Sequence, residues 1–210
     1  MTTRNACDIL TIGHSNLPAD RFIALLAGAG VTAVADVRSV PFSRWCPWFS
    51  SKALSERLAR ERLAYRALGD ALGGRPQDPK FYCDGIVDYE AMAAAPAFRA
   101  GLDQVAEAMQ RHRVCLLCRE REPLDCHRCL LVARALAERG YKPGHILADG
   151  TIEPHAATEQ RLLALTGAEQ DFFRDGTTRL ADAYRRRARA VAAGAKGARH
   201  TTAAKSRAKG

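Results

Sequence analysis

Within fifteen residues, Cys115 to Cys129, the sequence places four cysteines, His127, three carboxylates and three arginines. Such a run can support three kinds of chemistry. Thiolates and an imidazole together bind zinc or iron. A thiol near a helix N-terminus can act as a nucleophile. A guanidinium beside free backbone N–H groups can hold a phosphate.

The spacing CxxC, seven residues, CxxC has the look of a zinc ribbon. Cys115 and Cys118, however, fall in the apolar run Val114 to Cys118, and residues i and i+3 of a strand point to opposite faces. Cys129 belongs to the apolar stripe of the helix that follows. The smaller set Cys118, Cys126 and His127 survives as a ligand group for iron or zinc, joined by His14 or His145, with a position left for substrate or oxygen. A nucleophilic Cys118 fits poorly. Nine residues separate it from Arg128, and Glu120, Glu122 and Asp125 among them raise a thiol pKa and repel phosphate. Arg128 itself, in the first turn of a helix, opposes the macrodipole. It therefore points to a carboxylate such as Glu120 or Asp36, or to an anionic ligand, in which case Arg128→Lys leaves folding intact and weakens binding.

The elements that must carry these groups alternate. Ile9 to Gly13, Val31 to Val37, Leu63 to Leu68, Val114 to Cys118 and Gly144 to Ala148 read as five strands. Between them lie helices opened by Pro18, by Ser50 or Ser51, by Pro96 and by Asp125, with a last helix around Leu162. Strand, helix, strand implies parallel pairing, so the expected fold is α/β: one open, mostly parallel, Rossmann-like sheet of about five strands with helices on both faces. In such sheets ligands bind outside the carboxyl ends of the strands. The polar groups fall there: His14 and Ser15, Asp36 and Arg38, Cys118 to Glu120, and His145.

The net charge of +9 has a local origin. From Arg185 to Gly210 there are nine Lys/Arg and no Asp or Glu, so residues 1–184 are balanced. The expected organisation is one domain over residues 1–175 and a basic tail over 176–210, disordered for want of apolar surface and able to associate weakly with nucleic acid. No stretch reaches the ~18 apolar residues of a membrane span, and no secretory leader is evident, which predicts a cytoplasmic protein with reduced thiols and no membrane partner.

The motifs TIGHS at 11–15, DVR at 36–38, PFSR at 41–44, YxxLG at 65–69, LGG at 72–74, LLCRExxPxxCHR at 116–128 and HIxADG at 145–150 together resemble the DUF488 family, a domain of unknown function. The resemblance implies a compact α/β domain and adds Ser43 and Tyr65 to the shared polar residues. His14, Asp36, Cys118, Glu120 and His127 are then the candidate catalytic groups. Ser15, Arg38, Ser43, Tyr65, Arg128 and His145 are the candidate substrate-binding groups. Three functions compete: an enzyme acting on a phosphate-bearing small molecule, nucleotide or nucleic-acid end; an iron or zinc protein using Cys118, Cys126 and His127 for redox or hydrolysis; and a non-catalytic ligand-sensing or nucleic-acid-binding module.

Overall fold

The computed structural model describes residues 7–168 and 175–207, with side chains as far as Ala193 in the second segment. The chain opens with β1 (Ile9–Gly13), α1 (Ala19–Gly28), β2 (Ala33–Asp36), α2 (Ser51–Arg60) and β3 (Ala64–Ala67). A short helix α3 (Gly69–Leu72) and a small hairpin of β4 (Tyr82–Cys83) and β5 (Ile86–Val87) break up the long Gly-rich connection. They lead to α4 (Tyr89–Ala94) and α5 (Pro96–Met109). After β6 (Val114–Cys118) come α6 (Arg134–Glu138), β7 (Pro143–Ile146), β8 (Ile152–Pro154), α7 (His155–Thr166) and α8 (Gly176–Arg207). Among the described residues no helix is long and apolar enough to cross a membrane.

The sheet has six strands rather than the expected five, in the order β3-β2-β6-β1-β7-β8. All neighbours pair in parallel except β8, which turns back antiparallel on β7. The sixth strand was unreadable because Ile152 to Pro154 is three residues long and carries no alternation of its own. The order also departs from the Rossmann pattern, since β6 separates β1 from β2. VCLLC is buried at every position, and a strand apolar on both faces is most stable in the middle of a doubly covered sheet.

Strand alternation sorts side chains onto two cores. On one face Leu10, Ile12, Val34, Cys115 and Leu117 pack under Phe22 and Leu26 of α1 and Leu54 and Leu58 of α2. On the other, Ile9, Ala35, Leu116 and Cys118 meet Phe98 and Leu102 of α5 and the helical segment from Cys129 to Leu136. Cys115 and Cys118 thus belong to opposite faces, which rules out a ribbon built on both.

The tail is where composition misled. Its first half is not disordered: α8 lies against the body, with Ala183 and Tyr184 buried, the Arg134 guanidinium 4.7 Å over the Tyr184 ring, and Arg187 bonded to the Leu124 carbonyl and paired with Asp125. Asp125 therefore serves α8 and does not cap the helix after it. The side chains from residue 194 onward, and with them the expectation of a solvated basic tail, lie outside the described residues.

Candidate metal centre

The carboxyl ends of β1, β2 and β6 are neighbours in the sheet, with Gly13 opposite Cys118 and Asp36 opposite Leu117. Beyond them opens a cleft of about 400 Å³, whose wall includes His14, Arg38, Cys118, Glu120 and His127. Cys118 is the last residue of β6. The chain then loops out through a 3-10 turn, Pro123–Asp125, and returns at Cys126 and His127 to begin a wide, π-helical turn over Arg128–Ala133. Widened turns of this kind often mark functional sites. This return brings Cys126 back beside Cys118.

The Glu120 carboxylate accepts from both thiols at 3.1 Å. His127 Nδ1 lies 3.6 Å from Cys118 Sγ and 3.9 Å from Cys126 Sγ. One ligand atom from each of the four residues falls within 4.8 Å of all the others. Tetrahedral zinc with bonds of about 2.0–2.3 Å requires ligand–ligand edges of about 3.3–3.8 Å, so small side-chain adjustments suffice. The imidazole is already oriented: Nε2 donates to the Val37 carbonyl at 2.9 Å, which turns Nδ1 toward the thiols. A backbone carbonyl holding the far nitrogen is the usual setting of a metal-ligating histidine. Gly74 makes room for that ring, since a Cβ there would stand 2.5 Å from His127 Cγ. The LGG motif thus has a packing reason.

Electrostatics prime one thiol, Cys126, for ligation and leave the other three groups holding protons that a bound cation would displace. Burial works to raise the Cys126 thiol, but its hydrogen bond with Cys118, the Arg128 guanidinium and His127 together bring it well below the ordinary thiol value. Burial disfavours a charged His127, yet the adjacent Cys126 raises its pKa overall. Burial, reinforced by Cys126, raises Cys118 and Glu120.

The remaining candidates divide into three groups. Asp36 and Arg38 form a buried bidentate pair at 2.8 and 2.6 Å. Tyr65 donates to the same carboxylate at 2.8 Å. Arg38 also donates to His14 Nε2 and to the Phe49 carbonyl. Since His14 Nδ1 faces the Ser15 carbonyl at 2.9 Å, both imidazole nitrogens are engaged, and burial with the Arg38 charge lowers its pKa to about 4. Ser15 and Ser43 belong to loop scaffolding: Ser15 N donates to the Arg119 carbonyl, and Ser43 Oγ accepts from Cys46 N.

Arg128 and His145 lie behind the site. Arg128 is wholly buried and donates to the carbonyls of Glu120 at 2.5 Å and Arg121 at 2.9 Å and to Thr11 Oγ1 at 3.4 Å. Thr11 Oγ1 is 2.8 Å from His145 Nδ1, His145 Nε2 is 2.9 Å from His155 Nδ1, His155 Nε2 is 2.9 Å from the Tyr184 hydroxyl, and that hydroxyl donates to Glu159. A guanidinium can only donate and a carboxylate only accept, so the row has a fixed direction with both imidazoles neutral. Burial is the leading cause that holds His155 at about 4 and His145 well below its ordinary value. Cys129, His145 and His155 also cluster closely enough for a metal, but the imidazole nitrogens already bond along this row.

Residues 18–135, more than half of the chain, match the family model described as Domain of unknown function DUF488. The chain belongs to the DUF488 family. The match takes in every motif from DVR to LLCRExxPxxCHR and leaves TIGHS and HIxADG outside it. No curated protein and no solved structure matches the chain. In this DUF488 protein the residues that sequence reasoning missed are Thr11, His155, Glu159 and Tyr184, scattered over 174 positions in three elements, with no local motif to join them. Glu120 was legible as reactive but not as a fourth candidate ligand, because only the returning loop sets it between the two thiols.

Proposed function

We propose that this DUF488 protein is a metal-dependent enzyme. Cys118, Cys126, His127 and Glu120 hold a divalent ion, zinc or iron, on the wall of the cleft, and the enzyme acts hydrolytically on an anionic substrate. The observation that carries this reading is the orientation of His127, whose Nε2 is tied to Val37 while Nδ1 joins two buried sulfurs and a carboxylate oxygen. Charge supports it. Two thiolates and a carboxylate around a dication leave one net negative charge. Arg128, buried with no carboxylate partner among the described residues and donating its backbone N–H to Cys126 Sγ at 3.4 Å, balances it.

A bound dication supplies Lewis acidity to whatever enters the cleft. The protein supplies the rest. Glu120, the hard oxygen donor of the set and only part-buried, is the ligand most readily exchanged for substrate. Arg75 and Arg119 line the same cleft without a carboxylate partner among the described residues and draw an anion to it. The alternative, in which Arg38 and Arg128 cradle a phosphate, finds less support because both guanidinium groups already donate to protein acceptors. The test is elemental analysis of protein purified without added metal, followed by cobalt substitution. Close to one equivalent of zinc or iron, with thiolate-to-cobalt absorption lost in Cys126→Ser and His127→Ala, is expected. Folded protein that contains no metal and takes up neither zinc nor cobalt would refute the reading.

A further inference from the structure

Four of the five exposed large hydrophobic side chains among the described residues, Val40, Phe42, Trp45 and Trp48, fall within nine positions of the loop between β2 and α2. Several large apolar side chains exposed along one short loop are a feature by which interaction sites are recognised. The loop is not slack. Trp48 Nε1 donates to the Leu17 carbonyl at 3.0 Å, Cys46 N to Ser43 Oγ at 3.0 Å, and Arg38 to the Phe49 carbonyl at 2.8 Å. With those anchors in place, Phe42 at 68% and Trp45 at 76% exposure are held out to solvent. Val40 and Phe42 form part of the cleft wall, and the Arg44 guanidinium lies 5.2 Å over the Trp45 ring.

Charge identifies what the aromatics face. Arg44, Arg75 and Arg119 have no carboxylate partner among the described residues, and the last two line the cleft. The cleft is bounded elsewhere by α8 at Val191 and Ala192. From Arg185 onward the sequence of that element carries eight Lys/Arg and no acid. Planar faces for stacking, set among cations on a surface that continues into a basic helix, are the elements of single-strand recognition. A protein partner binding through an apolar patch would not need the cations, and a cleft of about 400 Å³ has no room for a duplex.

We propose that the Val40 to Trp48 loop and the arginine rim of the cleft form a binding surface for single-stranded nucleic acid. Bases stack on Phe42 and Trp45, phosphates meet Arg44, Arg75 and Arg119, and the strand is presented to the cleft. The proposal names the substrate class of the site described above and so rests on that reading for its catalytic sense. Binding itself does not require the metal.

The experiment is fluorescence anisotropy of a fluorescein-labelled 12-mer of deoxythymidine against the full chain, both chelator-treated and metal-loaded. Binding in both states is expected, with quenching of tryptophan fluorescence. Phe42→Ala and Trp45→Ala, both at exposed positions, should each weaken binding at least 5-fold, the low end of the stacking loss per base. Removing residues 193–210, which hold five Lys/Arg, should flatten the slope of log K against log salt by up to about 3.5. Equal affinity for a duplex 12-mer, no effect of either aromatic substitution, or preference for anionic vesicles over the oligomer would overturn the proposal. Because chelator-treated protein is one arm, loss of the metal reading alone leaves this result standing.

Discussion

Replacing Arg128 by lysine separates a buried scaffold from an anion receptor. The guanidinium serves three acceptors at once: the carbonyls of Glu120 and Arg121 and the Thr11 hydroxyl. It reaches them by passing over Gly13, where an added Cβ would lie 1.7 Å from the Glu120 carbonyl oxygen and 3.0 Å from Arg128 Nη1. An ammonium on a four-carbon stem keeps the charge but lacks the planar fork, so it can satisfy one carbonyl and leaves the other without its donor. Losing one charge-assisted hydrogen bond costs about 1.5–3 kcal/mol, and the orphaned buried acceptor brings the total to about 3–4 kcal/mol. At about 2–4 °C per kcal/mol for a chain of this size, the melting temperature should fall by about 10 °C. The same loop carries Glu120, a ligand in the proposed site, so metal content measured on the folded fraction should fall as well. A variant that melts within 2 °C of the parent, retains its metal and merely binds inorganic phosphate less well would show that Arg128 faces a ligand and that this reasoning is wrong.

Gly74→Ala places a methyl 2.5 Å from His127 Cγ, so it should lower metal occupancy while costing about 1–3 kcal/mol of stability; unchanged occupancy would mean the ring is free to shift. His14 and His155 have folded pKa values of about 4 against ~6.5 in the unfolded chain. Their contribution is therefore complete above pH 6.5 and is lost as pH falls toward 4, about 3 kcal/mol apiece at pH 4. Urea midpoints at pH 7 and pH 4.5 check this, and a His155→Gln variant should show the smaller difference. Truncation after Asp175 removes the buried Ala183 and Tyr184 and should cost roughly 3 kcal/mol or more; a melting temperature unaltered by that cut would contradict the docking of α8.

Strands and helices with a strong internal pattern were readable from sequence. Val114 to Cys118 is apolar at every position and buried at every position. Pro96 does open α5, and Phe98, Leu102 and Val105 are its buried face. Strand order was not readable, because parallel strands are matched by how both faces are covered and not by neighbouring residues. The tail shows a different failure. Its average composition is that of a disordered segment, yet Leu180, Ala183, Tyr184, Ala188 and Val191 recur at helical spacing and all pack against the body. A window scaled to helix period, and not to composition, contains that signal.

The candidate site was legible as a cluster, and less so as an assignment of roles. Cys118, Cys126 and His127 stand within ten residues of sequence, so their convergence needs only one returning loop. Arg38, Arg128 and His145 have the chemistry of ligand-binding groups, but their use depends on what lies behind them: Asp36, the Glu120 and Arg121 carbonyls, and His155. Burial explains why the structure deals with them this way. A charged or polar group withdrawn from water must find partners inside the protein, and once it has them it has fewer donors left for a substrate. Arg44 and Arg119 stand inside the PFSR and LLCRExxPxxCHR motifs without having been singled out, Arg75 stands outside every motif, and all three keep their donors because they remain at the rim. Position relative to solvent, which residue type alone does not encode, thus divides the polar residues of this sheet edge. One set builds the cleft, and the other is left to meet what enters it.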